Sequence, residues 1–208
     1  MKGHTYVEIG ISHGGCLRQI SAPSKIGVDP VLRDFGRSSA PGESLFEMTS
    51  DAFFADHAAE ALRGKKVDVA LVDGLHEFSQ ALRDILNLEK HMAEGGVIFI
   101  HDCNPPTREH AEEGVGPLWS GDVWKVCYYL GAYRPDLAFF TLDCDWGLGV
   151  LTGFRPGVSQ QLPSFGVLEE CKEMDYSLLQ KRRRDMLRLR PAWYSSFFFR
   201  RPRGRRHG

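Results

Sequence analysis

Long apolar runs are missing from this 208-residue chain: stretches such as "GGVIFI" and "SSFFF" fall well short of the roughly 20 residues a membrane-spanning helix needs. Nor does the opening "MKGHTYVEIG" carry the extended apolar segment of a signal peptide, so the sequence predicts a cytoplasmic protein with no membrane span. Cysteine is sparse. The five, at 16, 103, 127, 144 and 171, form no CxxC pair, which sets aside a cysteine-held zinc and a disulfide scaffold in favour of free thiols in a reducing compartment. A G-x-G-x-x-G dinucleotide turn is absent too; the corresponding stretch reads "GISHGG", which counts against a nicotinamide-dependent oxidoreductase, the alternative enzyme class with the same architecture. No base-stacking signature of an RNA-binding module appears.

The net charge of −1 hides an asymmetry. From Lys181 onward eleven Lys/Arg face a single acid, a net +10, so the preceding 180 residues carry −11. An acidic body repels phosphates, and no nucleic-acid partner is expected despite the basic tail. Hydrophobic content of 42% with 25% charged residues is ordinary for a globular protein, and the length suits one domain, residues 1–165, followed by a C-terminal helical extension and basic tail, 166–208.

Along the chain, strand-like and helix-like segments alternate. "TYVEIG", "SKIGVDP", "ESLFEMTS", "VDVALVD" and "VIFIHD" read as five strands, and "DLAFFTLD" and "GLGVLTG" as two more, joined too tightly for a crossover helix and therefore antiparallel. Between them, "GGCLRQIS" opens a helix, and Ser50 or Asp51 caps a second. "HEFSQALRDILNLEKHMAE" carries an apolar stripe closed by Gly95-Gly96, and "SGDVWKVCYYLGAY" is a further helix. This pattern predicts an α/β protein with a doubly wound, mainly parallel seven-stranded sheet whose last strand is antiparallel. Such sheets bind ligands beyond the carboxyl ends of their strands. Glu8, Asp29, Asp73 and Asp102 all fall at or near those ends.

In order, "YVEIGISHGG", "IGVDP", "VDGLHEFSQALRDI" and "GGVIFIHDCNP" resemble the class I S-adenosylmethionine-dependent methyltransferases. They are most similar to the small bacterial "DGxHxY" type related to sugar O-methyltransferases and, distantly, to catechol O-methyltransferase; the similarity spans about residues 4 to 153. The resemblance implies a Rossmann-like methyltransferase fold with S-adenosylmethionine as cofactor. Glu8, Gly10, Ser12, Gly14 and Gly15 would wrap its methionine part, Asp29 would take the ribose hydroxyls, Ser50 and Asp51 would meet the adenine, and Asp73 would lie against the cofactor. Read without the resemblance, "EIGISHGG" is a tight strand-to-helix turn, Asp29 before Pro30 is a turn former and Ser50 or Asp51 is a helix cap.

Hard carboxylate oxygens on two adjacent strand ends, Asp73 and Asp102, suit magnesium, with His101 as a third ligand. Metal-dependent members of the resembled families often place another carboxylate or an asparagine beside the second Asp. Here its neighbours are His101, Cys103 and Asn104, and the alternative is that both aspartates merely hydrogen-bond the cofactor amine or loop backbone. His76, three residues after Asp73, stands where catechol O-methyltransferase has its catalytic lysine, and an imidazole is a suitable base for a hydroxyl. His101 is the rival base. Trp124 with Asp122 and Trp146 with Asp145 could hold a sugar ring or serve as core.

The function expected is magnesium-assisted transfer of a methyl group to a hydroxyl of a sugar-like acceptor, a small molecule or oligosaccharide, with a mannoside of an actinobacterial polysaccharide as one candidate. Metal-free methylation of another natural-product hydroxyl is the alternative. In the tail, Leu178, Leu179, Met186, Leu187 and Leu189 predict a docking helix, and "YSSFFF" is apolar enough to cover the sheet or a homodimer partner.

Overall fold

A computed structural model describes residues 4–33, 40–112, 119–158 and 160–199. Strands β1 (Thr5–Ile9), β2 (Ser24–Asp29), β3 (Glu43–Glu47), β4 (Val67–Val72), β5 (Met92–Ile100), β6 (Ala138–Asp143), β7 (Leu148–Thr152) and β8 (Leu189–Pro191) form one sheet in the order β3-β2-β1-β4-β5-β7-β6-β8. β3 through β5 run parallel, and β7 inserts antiparallel between β5 and β6. The doubly wound architecture read from the sequence is thus the observed one. The sheet gains an eighth strand, β8, which pairs in parallel with β6; three residues ending in proline carry too little periodicity to be read in advance.

The chain steps outward from β1 to β2 and β3, then returns to lay β4 on the other side of β1. This reversal opens a crevice between β1 and β4 at their carboxyl ends, where such sheets receive ligands. Every residue of β1 is buried, and β2 is buried across Lys25–Val28. The central strands are therefore covered on both faces, as parallel sheets require.

Helix α4 (Phe78–Glu89) shows why the apolar stripe forms a helix here. Phe78, Ala81, Leu82, Ile85 and Leu88 fall at helical spacing and are all buried, and full burial of each large side chain contributes about 2 kcal/mol. The helix ends at Glu89, five residues before the Glu94 expected. Met92–Ile100 is instead one strand, with a register shift against β4 between Val67 and Val69 that accommodates Gly95 at φ +75°. The second helical segment, α2 (Ser50–Ala52), a π-helical turn (Phe53–His57) and α3 (Ala58–Leu62), is capped by Thr49, whose side chain accepts from Ala52 N; Ser50 is already inside the helix.

Helices α1 (Gly15–Gln19), α5 (Arg108–Ala111) and α6 (Trp124–Tyr133) complete the core domain. Trp124 is only 1% exposed and is core, not a ligand shelf. After β7 the chain adds α7 (Phe165–Lys172), α8 (Tyr176–Met186), β8 and α9 (Tyr194–Phe198). Cys171, Tyr176, Leu179, Met186 and Leu187 belong to the same buried cluster as the central strands. Among the described residues no helix is long and apolar enough to cross a membrane.

The crevice depends on one close approach. Gly10, at φ +83°, follows β1, and a Cβ there would lie 2.0 Å from the Asp73 carbonyl oxygen. Gly10→Ala should therefore lower unfolding stability by about 2–5 kcal/mol, combining left-handed backbone strain with a steric clash, as read by urea denaturation. Wild-type stability would show that the two strand ends do not meet as described.

Candidate active site

A cleft of about 720 Å³ lies along the carboxyl edge of the sheet, from Asp29 at the end of β2 to Trp146 between β6 and β7. It is lined by Gly10, Ser12, Asp29, Ser50, Asp73, His76, His101 and Asp102 among the residues singled out from the sequence. Four strand ends and the loops after them are thereby joined into one site.

At the β1–β2 side, Ser12 N donates to Asp29 Oδ2 and Val31 N to Asp29 Oδ1, both at 2.8 Å. Each carboxylate oxygen keeps acceptor capacity toward the cleft. Ser12 itself sits at φ +44°. Glu8, Gly14, Gly15 and Asp51 do not line the cleft. Glu8 is 2% exposed and accepts from the Tyr6 hydroxyl at 2.6 Å; burial pushes its carboxyl upward, with the Tyr6 hydroxyl working against that rise.

Across the switch point four titratable groups converge. His76 Nε2 lies 3.2 Å from Asp102 Oδ2 and 3.7 Å from Asp73 Oδ1. His101 Nδ1 lies 3.1 Å from Asp73 Oδ1 and 3.3 Å from Asp102 Oδ2, while its Nε2 reaches the exposed Asp145 carboxylate at 3.4 Å. Backbone bonds fix these side chains. Asp73 N donates to Ile9 O and His101 N to Val72 O, tying the ends of β1, β4 and β5 together. Asp102, nearly fully buried, adopts φ +59°, uncommon for a residue with a side chain. Gly121, at φ +61°, packs so tightly on the His76 carbonyl that a Cβ would fall 1.7 Å from it.

The His76 ring is oriented by a group far away in sequence: its Nδ1 lies 2.7 Å from the Trp119 carbonyl oxygen. A carbonyl only accepts, so Nδ1 carries a proton and the Nε2 edge of the ring faces the two aspartates. Single donor atoms of Asp73, His76 and Asp102 all lie within 4.8 Å of one another, a spacing that could hold a metal ion. Both imidazoles thus approach both carboxylates, and it is His76 whose ring nitrogen groups with one oxygen of each aspartate at metal-holding spacing. His101 Nδ1 sits beside them, buried and not aligned for a hydrogen bond.

The electrostatics follow from this packing. The carboxylates of Asp102 and Asp73 push His101 up to about 11, against a smaller opposing effect of burial. For His76, burial lowers the pKa, but Asp73 and Asp102 outweigh it and the net direction is upward. Burial would raise Asp73, yet His101 and His76 carry it below the usual carboxylate range. Protons on the imidazoles therefore neutralise the aspartates.

Gln80, Asp84 and Trp119 are among the lining residues that escaped the sequence reading. Asp84 is 1% exposed on the core face of α4 and accepts from Gln80 Nε2 at 3.0 Å. A carboxylate inside an otherwise apolar helical stripe was the available signal.

Residues 7–103 match a family model described as a methyltransferase domain. Over this segment, a little under half of its length, the chain is similar to methyltransferase domains. Its matched range runs from β1 to just beyond Asp102, so the motif-bearing strand ends all fall within it or at its close. No curated protein sequence matches the chain significantly. Among solved structures, the MycE methyltransferase of the mycinamycin biosynthetic pathway is similar over 79% of this chain, with 16% identity and a TM-score of 0.47. The chain spans about half of that protein's length, 48%. The N-methyltransferase NodS from Bradyrhizobium japonicum is similar over 72% of this chain and 84% of its own, with 14% identity and a TM-score of 0.47.

Asp84 supplies a test of the site's electrostatics. Burial lifts its carboxyl from an ordinary 3.8 to about 6, opposed by hydrogen bonds from Ser50 and Gln80. The folded chain holds this proton more tightly than the unfolded chain, so the stabilisation is complete below the unfolded pKa and is lost as pH rises through about 6. Asp84→Asn should flatten the fall in stability between about pH 4 and pH 7, by up to roughly 3 kcal/mol in unfolding free energy. An unchanged pH slope would show that Asp84 is not a protonated buried acid.

Proposed function

We propose that the protein is an S-adenosylmethionine-dependent O-methyltransferase whose acceptor hydroxyl is presented beside a divalent cation, with magnesium the first candidate. The observation that carries this reading is the convergence of Asp73, His76 and Asp102 at the switch point of a methyltransferase domain. The donor set fits a cation. Two acceptor-only carboxylates and a ring nitrogen face one point, and the only positive charge beside them in ion-pair range, among the described residues, is titratable imidazole. The cation would lower the pKa of a hydroxyl in contact with it, and the cofactor's sulfonium would supply the methyl group and the leaving group.

The chain's own residues bind and orient. Gly10 lets backbone approach the methionine part of the cofactor, Asp29 offers both carboxylate oxygens to the ribose hydroxyls, and Ser50 stands on the adenine side. Trp146, with Asp145, and Trp119 flank the opposite end, and aromatic faces beside a carboxylate suit a hydroxyl-rich ring. This arrangement supports a sugar-like acceptor.

His76 Nε2 has one lone pair, so it cannot both hold a cation and take a proton. Its 3.2 Å approach to Asp102 favours holding, which leaves His101, whose Nε2 faces the open side near Asp145, to accept the acceptor's proton. His76 as the base is the second reading, favoured by its fixed tautomer.

Calorimetry should show micromolar or tighter binding of S-adenosylhomocysteine and none comparable for NAD; the opposite ranking would end the methyltransferase reading. Asp29→Ala should weaken cofactor binding by about 1–3 kcal/mol. His101→Ala should lower kcat by roughly 100-fold to 10,000-fold with magnesium affinity retained, whereas His76→Ala should lower magnesium affinity as well. The reverse pattern would assign the base to His76. Because the imidazole protons must leave before a cation enters, magnesium affinity should rise with pH and binding should release protons; a pH-independent affinity would separate the histidines from the metal.

A further inference from the structure

At the edge of the sheet farthest from the cofactor side, α9 presents two different faces. Tyr194 and Phe198, four residues apart, both pack on Phe140, with ring centroids at 5.2 and 4.9 Å, and Phe199 leans on Phe99 at 6.1 Å. These contacts tether the helix to the face of β5 and β6. Trp193 and Phe197, also four residues apart, share the other side and are each 70% exposed. Phe199, at 44%, widens the apolar surface. A stripe at helical spacing, anchored from behind by aromatic rings, differs from apolar side chains scattered singly over a surface.

The sequence around this stripe is strongly basic. Arg190 lies with its guanidinium 5.8 Å from the Tyr194 ring centroid, and Arg200, Arg201, Arg203, Arg205 and Arg206 follow in sequence. Against −11 for the preceding 180 residues, the segment from Lys181 carries +10, so the positive charge of the sequence is concentrated in the segment that bears the stripe.

We propose that the α9 face docks on an anionic lipid bilayer, with Trp193 and Phe197 entering the interfacial layer and the arginines meeting the headgroups. Aromatic side chains favour the bilayer interface, and an apolar insertion combined with a polybasic segment makes a stable peripheral anchor where either alone is weak. The stripe and the cationic run belong to one segment of the sequence, so apolar insertion and headgroup attraction would act together there, while the acidic remainder would be repelled by an anionic surface. A second copy fits less well. A self-complementary contact centred on Trp193 and Phe197 would bring two +10 segments together. Nucleic acid would satisfy the arginines, but Phe198 and Phe199 pack edge to face at 5.0 Å instead of standing apart as stacking platforms for bases.

The test is sedimentation of the full chain with vesicles of phosphatidylcholine, with and without phosphatidylserine. Binding should require phosphatidylserine and weaken with added salt. Trp193→Ser combined with Phe197→Ser should weaken it about tenfold or more. Both side chains are exposed, and an unchanged circular dichroism spectrum and melting temperature would show that the variant folds. Three results would overturn the proposal: no binding to either vesicle, binding unaffected by the double substitution, or a dimer in analytical ultracentrifugation that the substitution dissolves. Tighter binding to duplex DNA than to the anionic vesicles would also overturn it. None of these readouts involves methyl transfer, so they stand apart from the proposed activity.

Discussion

Two buried or half-buried carboxylates held side by side cannot both stay ionised without positive charge between them, and Asp73 and Asp102 are held in this way. The parallel pairing of β4 with β5, Val72 opposite Ile100, brings the two strand ends level. The residues that follow have no route apart, because Asp73 N is bonded to Ile9 O and His101 N to Val72 O. With imidazoles alone the compensation is protonic, which is why His101 is driven up to about 11. A divalent cation held there would compensate the same pair without protons and leave the His101 ring unprotonated.

Much of the surrounding architecture can be understood as maintaining that juxtaposition. Gly10 permits contact with the Asp73 backbone, and Gly121 permits contact with the His76 backbone. Asp122 secures the segment further, accepting from Phe78 N at 2.5 Å and donating its own N–H to the His76 carbonyl at 3.2 Å. The loop before α6 thus clamps the start of α4. Left-handed conformations at Asp102, Asp145 and Trp146 gather around the same cleft, strain of the kind that collects at functional sites.

The sheet was readable because buried parallel strands leave an unmistakable imprint: "VDVALVD" is apolar until it reaches the carboxylate it delivers. Asp29, Asp73, His76, His101 and Asp102 were readable for the same reason, being near the ends of such runs. What could not be read is set by contacts across the chain. The partner of His76, the Trp119 carbonyl, lies 43 residues away and is backbone, so no side-chain motif announces it. Nor does spacing reveal that both imidazoles approach both aspartates, since that depends on ring orientation. Thr49 displaced Ser50 as the cap because the helix starts one residue earlier than a Ser50 cap would set it. The tail's β8 was invisible because pairing with β6, not its own composition, makes it a strand.

Replacing magnesium with Mn²⁺ turns the central claim into a spectroscopic question. Pulsed electron paramagnetic resonance of the Mn²⁺-loaded protein should show ¹⁴N hyperfine coupling from a directly bound imidazole. His76→Ala should abolish the coupling and His101→Ala should preserve it. An Mn²⁺ signal with oxygen ligands alone, or no protein-bound Mn²⁺ at all, would contradict a cation site built on Asp73, His76 and Asp102.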